Sequence, residues 1–264
     1  MALAHRPVAP PRRPALAGGV AVTAEPAIAE PAIAGQALVS CPDSFGDVLS
    51  AGPAVRAVGL ALAAAAGFPQ PVGDGGLLRV RPVPETRDLT GGSPYAVPHP
   101  GAGVPARARR PEHGAQAVRE PTAAGHRVVV TGGPGERELT AKVASADGLG
   151  LGGRTGAAEL AGAAELAGAA ELAGVPARAD AVVTGNTAPA HLAATVGTPV
   201  VSLFAPAVPA ERRRPYGIPY VLPGDQDAPC ADSRARHRPA PGRPCPDTVT
   251  AHDVLAAVEK VLTS

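Results

Sequence analysis

Five short apolar runs punctuate the chain between Tyr95 and Leu222, none alternating with polar residues. Tyr95-Ala-Val97 leads to His99-Pro-Gly-Ala102, and Arg127-Val-Val-Val130 ends in Thr131-Gly-Gly-Pro-Gly135. Ala181-Val-Val183 ends in Thr184-Gly-Asn-Thr187; Pro199-Val-Val-Ser-Leu-Phe204 and Tyr220-Val-Leu222 follow. Unbroken apolar runs separated by helical stretches predict parallel strands covered on both faces, an α/β fold with a Rossmann-like parallel sheet. An earlier strand candidate, Ala37-Leu-Val-Ser40, passes through the turn Cys41 to Asp47 into an Ala-rich helix over Val48 to Ala66. Strand, glycine turn and helix in that order open a Rossmann-like unit. At the other end, Thr250 and Asp253 resemble a capping box ahead of Val254, Val258, Val261 and Leu262, which predicts an amphipathic helix packed on the sheet.

The segments between these elements read differently. Residues 1–36 are rich in Ala and Pro and repeat Glu-Pro-Ala-Ile-Ala from Glu25 and from Glu30, which predicts a disordered tail. Residues 37–66 form the short strand-helix unit, 67–93 carry scattered Pro and Gly as a linker does, and 94–264 form one α/β lobe. From Ala157 to Gly174 the hexapeptide Ala-Ala-Glu-Leu-Ala-Gly occurs three times. A six-residue step turns about 240° around a helix, so Leu160, Leu166 and Leu172 cannot share one buried stripe. Each glycine costs about 1 kcal/mol inside a helix. A single copy suits a helix turn, and the extra copies are expected to be a frayed helix or a looped-out segment.

Composition narrows the function classes. Of 264 residues, 57 are Ala, 32 Gly and 32 Pro, so few large side chains are left for a core. A net charge of +1 with 18% charged residues argues against a strongly basic nucleic-acid binder. No long uncharged apolar run suits a membrane span. The N-terminal apolar stretch is broken by Pro14, Gly18 and Gly19, which predicts no signal peptide and a cytoplasmic protein. Cys41, Cys230 and Cys245 form no CxxC pair, and reduced thiols are expected, with no metal site and no cofactor.

The strongest chemical signal is Asp180-Ala-Val-Val-Thr-Gly185-Asn186-Thr187-Ala188-Pro189-Ala190-His191. A strand ends, a turn of small residues follows, and a helix begins with Pro near its first position. Free first-turn amides and the positive end of the helix dipole make an anion site there, to which Thr187 adds a hydroxyl and His191 a ring N–H. The same residues read equally well as a helix cap beside a surface histidine. A second turn, Gly132-Gly133-Pro134-Gly135-Glu136, would lie at the same sheet edge, with Glu136 able to accept from ribose hydroxyls. Its glycine spacing is neither the dinucleotide fingerprint nor a Walker loop. Asp47, in Phe45-Gly46-Asp47, is either a general base or, more simply, a helix N-cap. Arg107, Arg109 and Arg110 form a short basic cluster able to hold a phosphate, or a solvated surface.

Four stretches together resemble glycosyltransferase family 9, the lipopolysaccharide heptosyltransferase-like enzymes: Phe45-Gly46-Asp47-Val48-Leu49 with Gly52-Pro53-Ala54; His99-Pro100-Gly101-Ala102; Val130 through Glu136; and Gly185 through Ala194 running on to Phe204. The resemblance implies the GT-B fold, here a C-terminal donor lobe with only a remnant of the N-terminal acceptor lobe. It implies inverting, metal-independent transfer of a heptose-like sugar from a nucleotide-diphosphate donor to a glycan or glycolipid acceptor, which brings the protein to the membrane periphery. By resemblance Asp47 is the catalytic base. His99, Gly101, Arg107, Gly132, Gly133, Glu136, Asn186, Thr187, Ala188 and His191 bind the donor, with Glu136 on the ribose and Thr187, Ala188, His191 and Arg107 on the diphosphate. The sequence departs from the pattern in three ways: Arg109-Arg110-Pro111 replaces an expected Trp-Pro, Ala188 stands where Gly is usual, and Arg238 stands where relatives have Cys. With so little chain before Gly67, a nucleotide-binding remnant without turnover is the alternative.

Overall fold

A computed structural model describes residues 57, 60–67, 77, 83–92, 94–145, 147–154, 172–237 and 247–264. The chain divides into Met1–Gln36 and Ala37–Ser264, and every described residue belongs to the second unit. The strand candidate 37–40, Asp47, Cys41, Cys245, Arg238 and the first two copies of the hexapeptide lie outside the described residues, as does most of the helix predicted over 48–66.

Among the described residues, six parallel strands build the lobe: β1 (Ala96–His99), β2 (Val129–Val130), β3 (Leu149–Gly150), β4 (Ala181–Gly185), β5 (Val200–Leu203) and β6 (Tyr220–Val221). β1, β4, β5 and β6 pair in that order, and β2 pairs with β3. The two ladders meet where Ala96 bridges Val128, where the Ala96 N–H donates to the Arg127 carbonyl and the Thr131 N–H donates to the Pro98 carbonyl. Pro98 has no N–H to return to β2, which explains why this seam is a pair of hydrogen bonds and not a full ladder. Across the seam the order is β3-β2-β1-β4-β5-β6, the Rossmann order.

Helices cover both faces. α1 (Pro111–Ala123), α2 (Arg137–Ala144) and α4 (Ala251–Leu262) pack on one side. α3 (Ala188–Val196) and the helical residues 172–177 pack on the other. β4 shows why its apolar run is unbroken. Ala181 and Val183 face Val254, Val258 and Val261 of α4, and Val182 between them faces Ala190 and Ala193 of α3. Thr250 caps α4 as expected, accepting from the Asp253 N–H at 3.1 Å while the Asp253 carboxylate accepts the Thr250 N–H at 2.8 Å. Leu262 is 44% exposed, so the apolar stripe of this helix ends at Val261.

The expected linker is partly docked on the lobe. Gly174, from the last hexapeptide, lies so close to Pro84 and Thr86 that a Cβ there would sit 2.9 Å from the Pro84 carbonyl. Leu172 and Ala173 of the same copy are helical and buried against Leu192, as a single copy forming a helix turn would be. Among the described residues, no helix is long and apolar enough to cross a membrane.

Candidate functional site

β2 and β3 lie to one side of β1, and β4, β5 and β6 lie to the other. The strand order therefore reverses between β1 and β4, and in open α/β sheets the crevice beyond the carboxyl ends of such a pair is where ligands bind. A cavity of about 40 Å³ sits there, lined by His99 and Gly101 at the end of β1, Gly185 and Leu203 at the ends of β4 and β5, and Arg107 and Arg109. It is a starting crevice, far smaller than the several hundred Å³ a nucleotide site encloses.

On the β1 side, five residues named from the sequence converge: His99, Gly101, Gly132, Gly133 and Glu136. Glu136 turns back from the single helical turn Pro134–Glu136, its Oε2 accepting the Gly133 N–H at 2.8 Å. The same oxygen lies 3.6 Å from His99 Nε2. Gly101 leaves the room: a Cβ there would meet Glu136 Oε1 at 2.0 Å. Gly132 packs against Thr140, whose Oγ1 would lie 2.3 Å from an added Cβ. Burial pushes His99 below its ordinary range, and the Glu136 carboxylate works against that shift. Thr131 Oγ1 is 3.1 Å from His99 Nδ1. The sequence reading passed over Thr131 because a threonine ending a strand before a glycine turn looks like turn chemistry.

On the β4 side the turn is more closely committed. Asn186 is buried and acts as a clamp: its Nδ2 donates to the Ala205 carbonyl at 3.2 Å and its Oδ1 accepts the Ala205 N–H at 3.4 Å. Thr187 is the N-cap of α3 without a side-chain cap bond. Its N–H donates to the Gly185 carbonyl at 2.8 Å, and its hydroxyl lies 3.3 Å from that of Thr184. Pro189 has no N–H, and the Ala190 N–H turns back to the Thr187 carbonyl. The Ala188 amide remains as the donor of this helix start, where unsatisfied amides and the dipole favour an anion. His191 is 7% exposed and is not among the residues that line the cavity.

Arg107 joins the two sides. It ends the helical turn Pro105–Arg107, and its Nη1 donates to the Asn186 carbonyl at 3.4 Å. A Cβ at Gly185 would lie 3.5 Å from the Arg107 carbonyl, an ordinary van der Waals contact, so this approach does not require a glycine. Arg109 lies deeper and donates to the Val249 carbonyl, while its Nε and Nη1 find no partner among the described residues. Burial lowers the Arg109 pKa, and Asp247 and Asp253 oppose this. Arg110 pairs with Asp247 at 3.1 Å. Among the described residues, no three His, Cys, Asp or Glu side chains gather as a metal site.

The sequence profile of glycosyltransferase family 9 (heptosyltransferase) matches residues 52–240, most of the chain. The chain belongs to that family. The family 9 glycosyltransferase of Veillonella parvula has a similar structure, with a TM-score of 0.54 at 18% identity over 67% of this chain and 49% of that one. The E. coli ADP-heptose lipopolysaccharide heptosyltransferase II is also similar, with a TM-score of 0.51 at 20% identity over 67% of this chain and 50% of that one. The family 9 chain described here thus spans about half the length of these two structures. None of the curated proteins matches it. The likeness fits the fold built above, a Rossmann-like parallel sheet of the GT-B kind.

Proposed function

We propose that this chain is the nucleotide-sugar-binding lobe of a family 9 glycosyltransferase, acting on an ADP-heptose-like donor. The observation that carries the reading is the crevice where strand order reverses: Gly101 and Arg107 line it, Glu136 lies behind Gly101 and His99 on the β1 side, and the start of α3 follows Gly185, which lines it on the β4 side. The diphosphate lies across the start of α3, held by Arg107 and the Ala188 N–H. The ribose reaches Glu136 beside Gly101 and Gly133. His191, in the first turn of α3, is the further donor that the reading assigns to the diphosphate. An ADP-heptose transferase among the similar structures supports the choice of donor.

In the transfer, the carboxylate of Asp47 takes the proton of an acceptor hydroxyl on a glycan or glycolipid. The freed oxygen attacks the anomeric carbon from the face opposite the diphosphate, the bond from that carbon to the diphosphate oxygen breaks, and configuration inverts. Charge developing on the leaving diphosphate is stabilised by fixed donors, the most effective electrostatic device available to such a site. The reading places the 67–93 segment between lobes, the 37–66 unit as a remnant of the acceptor lobe, and the protein in the cytoplasm at the membrane periphery.

Incubating the full chain with ADP-heptose and a heptose-accepting glycolipid tests this. Release of ADP with an inverted anomeric product, lost in Asp47→Asn, is expected. Donor binding without any ADP release would favour the nucleotide-binding remnant, and no binding at all would refute the assignment.

A further inference from the structure

We infer that His99 is a positioning residue: together with Thr131 it orients the Glu136 carboxylate for a pair of ribose hydroxyls. The inference rests on the donor reading above and goes beyond it, since it names what sets the carboxylate.

Three observations carry it. First, the two ring nitrogens of His99 have different neighbours, Thr131 Oγ1 at 3.1 Å from Nδ1 and Glu136 Oε2 at 3.6 Å from Nε2. A neutral imidazole carries one N–H, and an unprotonated Nε2 would set a lone pair against a carboxylate oxygen. The favourable arrangement has the Thr131 hydroxyl donating to Nδ1, which leaves the proton on Nε2, facing Glu136. Second, both partners are fixed. Thr131 is 2% exposed and its backbone N–H is tied to the Pro98 carbonyl, and the His99 side chain is 10% exposed. Third, Glu136 is placed by the surrounding backbone as well as by the ring. The Gly133 N–H donates to Oε2, and the missing side chain of Gly101 leaves the space that Oε1 fills. With Oε2 turned to His99 and Gly133, Oε1 is the oxygen on the Gly101 side of the crevice. The carboxylate is also about one third exposed, so its free lone pairs remain within reach of a ligand.

At 3.6 Å the His99–Glu136 approach is a polar contact longer than a hydrogen bond, which biases the carboxylate's orientation electrostatically and is lost when the ring is replaced by an apolar group. The measurement is the ratio of dissociation constants for 2′,3′-dideoxyadenosine diphosphate and ADP, taken on the full chain. For the unaltered protein a preference for ADP of about tenfold or more is expected, the worth of hydrogen bonds from hydroxyls to a carboxylate. His99→Leu should reduce that ratio to about twofold, while His99→Gln, which restores an N–H near the Nε2 position, recovers most of it. Thr131→Val keeps the shape of the buried side chain, removes only the hydroxyl, and should lower the ratio about threefold. A melting curve establishes that each variant is folded, and Thr131→Val carries the test if His99→Leu does not fold. An unchanged ratio in either folded variant overturns the inference. No preference for ADP in the unaltered protein would instead remove the ribose role of Glu136 itself, a separate failure.

Discussion

Glycines at this sheet edge act by what they leave out. At Gly101 an added methyl would collide with Glu136 Oε1, the free end of a flexible side chain, so the protein can yield without unfolding. Gly101→Ala is therefore expected to leave the melting temperature within a few degrees of the unaltered protein and to weaken ADP binding about tenfold, read by calorimetric titration. A large loss of stability with intact binding would contradict this account of the glycine. Asn186 makes the opposite prediction. It is buried and its amide is fully used on Ala205, so Asn186→Ala strands a carbonyl and an N–H and should cost roughly 2 kcal/mol or more in denaturant unfolding. His99 gives a pH signature. Its folded pKa lies below the unfolded value of about 6.5, so the unfolded chain binds the proton more readily. The contribution of neutral His99 to stability is complete above that value and is lost as pH falls below it, toward the folded pKa. The slope of melting temperature against pH below about 6.5 should flatten in His99→Gln, and an unaltered slope would show that other groups set it.

The central parallel strands are legible as elements because they are buried on both faces, which writes a continuous apolar run into the chain. β2, β5 and β6 fall inside the runs read from the sequence, and β1 and β4 overlap theirs and extend two residues beyond them. β3 was not legible: Leu149–Gly150 is a two-residue edge strand, exposed and set among Gly148, Gly152 and Gly153, so neither apolarity nor length announces it. The capping box of α4 was legible because it is local chemistry, and Thr250→Ala should cost about 1 kcal/mol of stability, measurable by urea titration. Hydrogen bonds to Thr250 hold the Asp253 carboxyl below its ordinary range, so the contribution of this cap is present above the unfolded pKa and disappears as pH falls through the folded one. What local patterns could not give is the pairing across the turns. The clamp of Asn186 on Ala205 and the approach of Glu136 to Gly101 join segments 19 and 35 residues apart, and no spacing rule marks them.

For the whole lobe, order and handedness of connection determine where chemistry can occur. Strands that step outward from β1 to β3 and then return to β4 leave one crevice uncovered by a crossover; the motif residues His99, Gly101 and Arg107 line it, and Glu136 lies against the first two. A second hollow, of about 430 Å³, lies between α1 and the start of α4, lined by His113, Gln116, Arg119, Glu120 and Thr250 among others. Its charges are mixed, and it lies away from the reversal of strand order. The central claim is that nucleotide binds at the first place and not at the second. Mapping backbone amide shifts of the isotope-labelled full chain as ADP is added tests this most directly. The account predicts saturable shifts at Gly101, Gly133, Glu136 and Ala188; shifts confined to α1 and the first turn of α4, or none at saturating ADP, would contradict it.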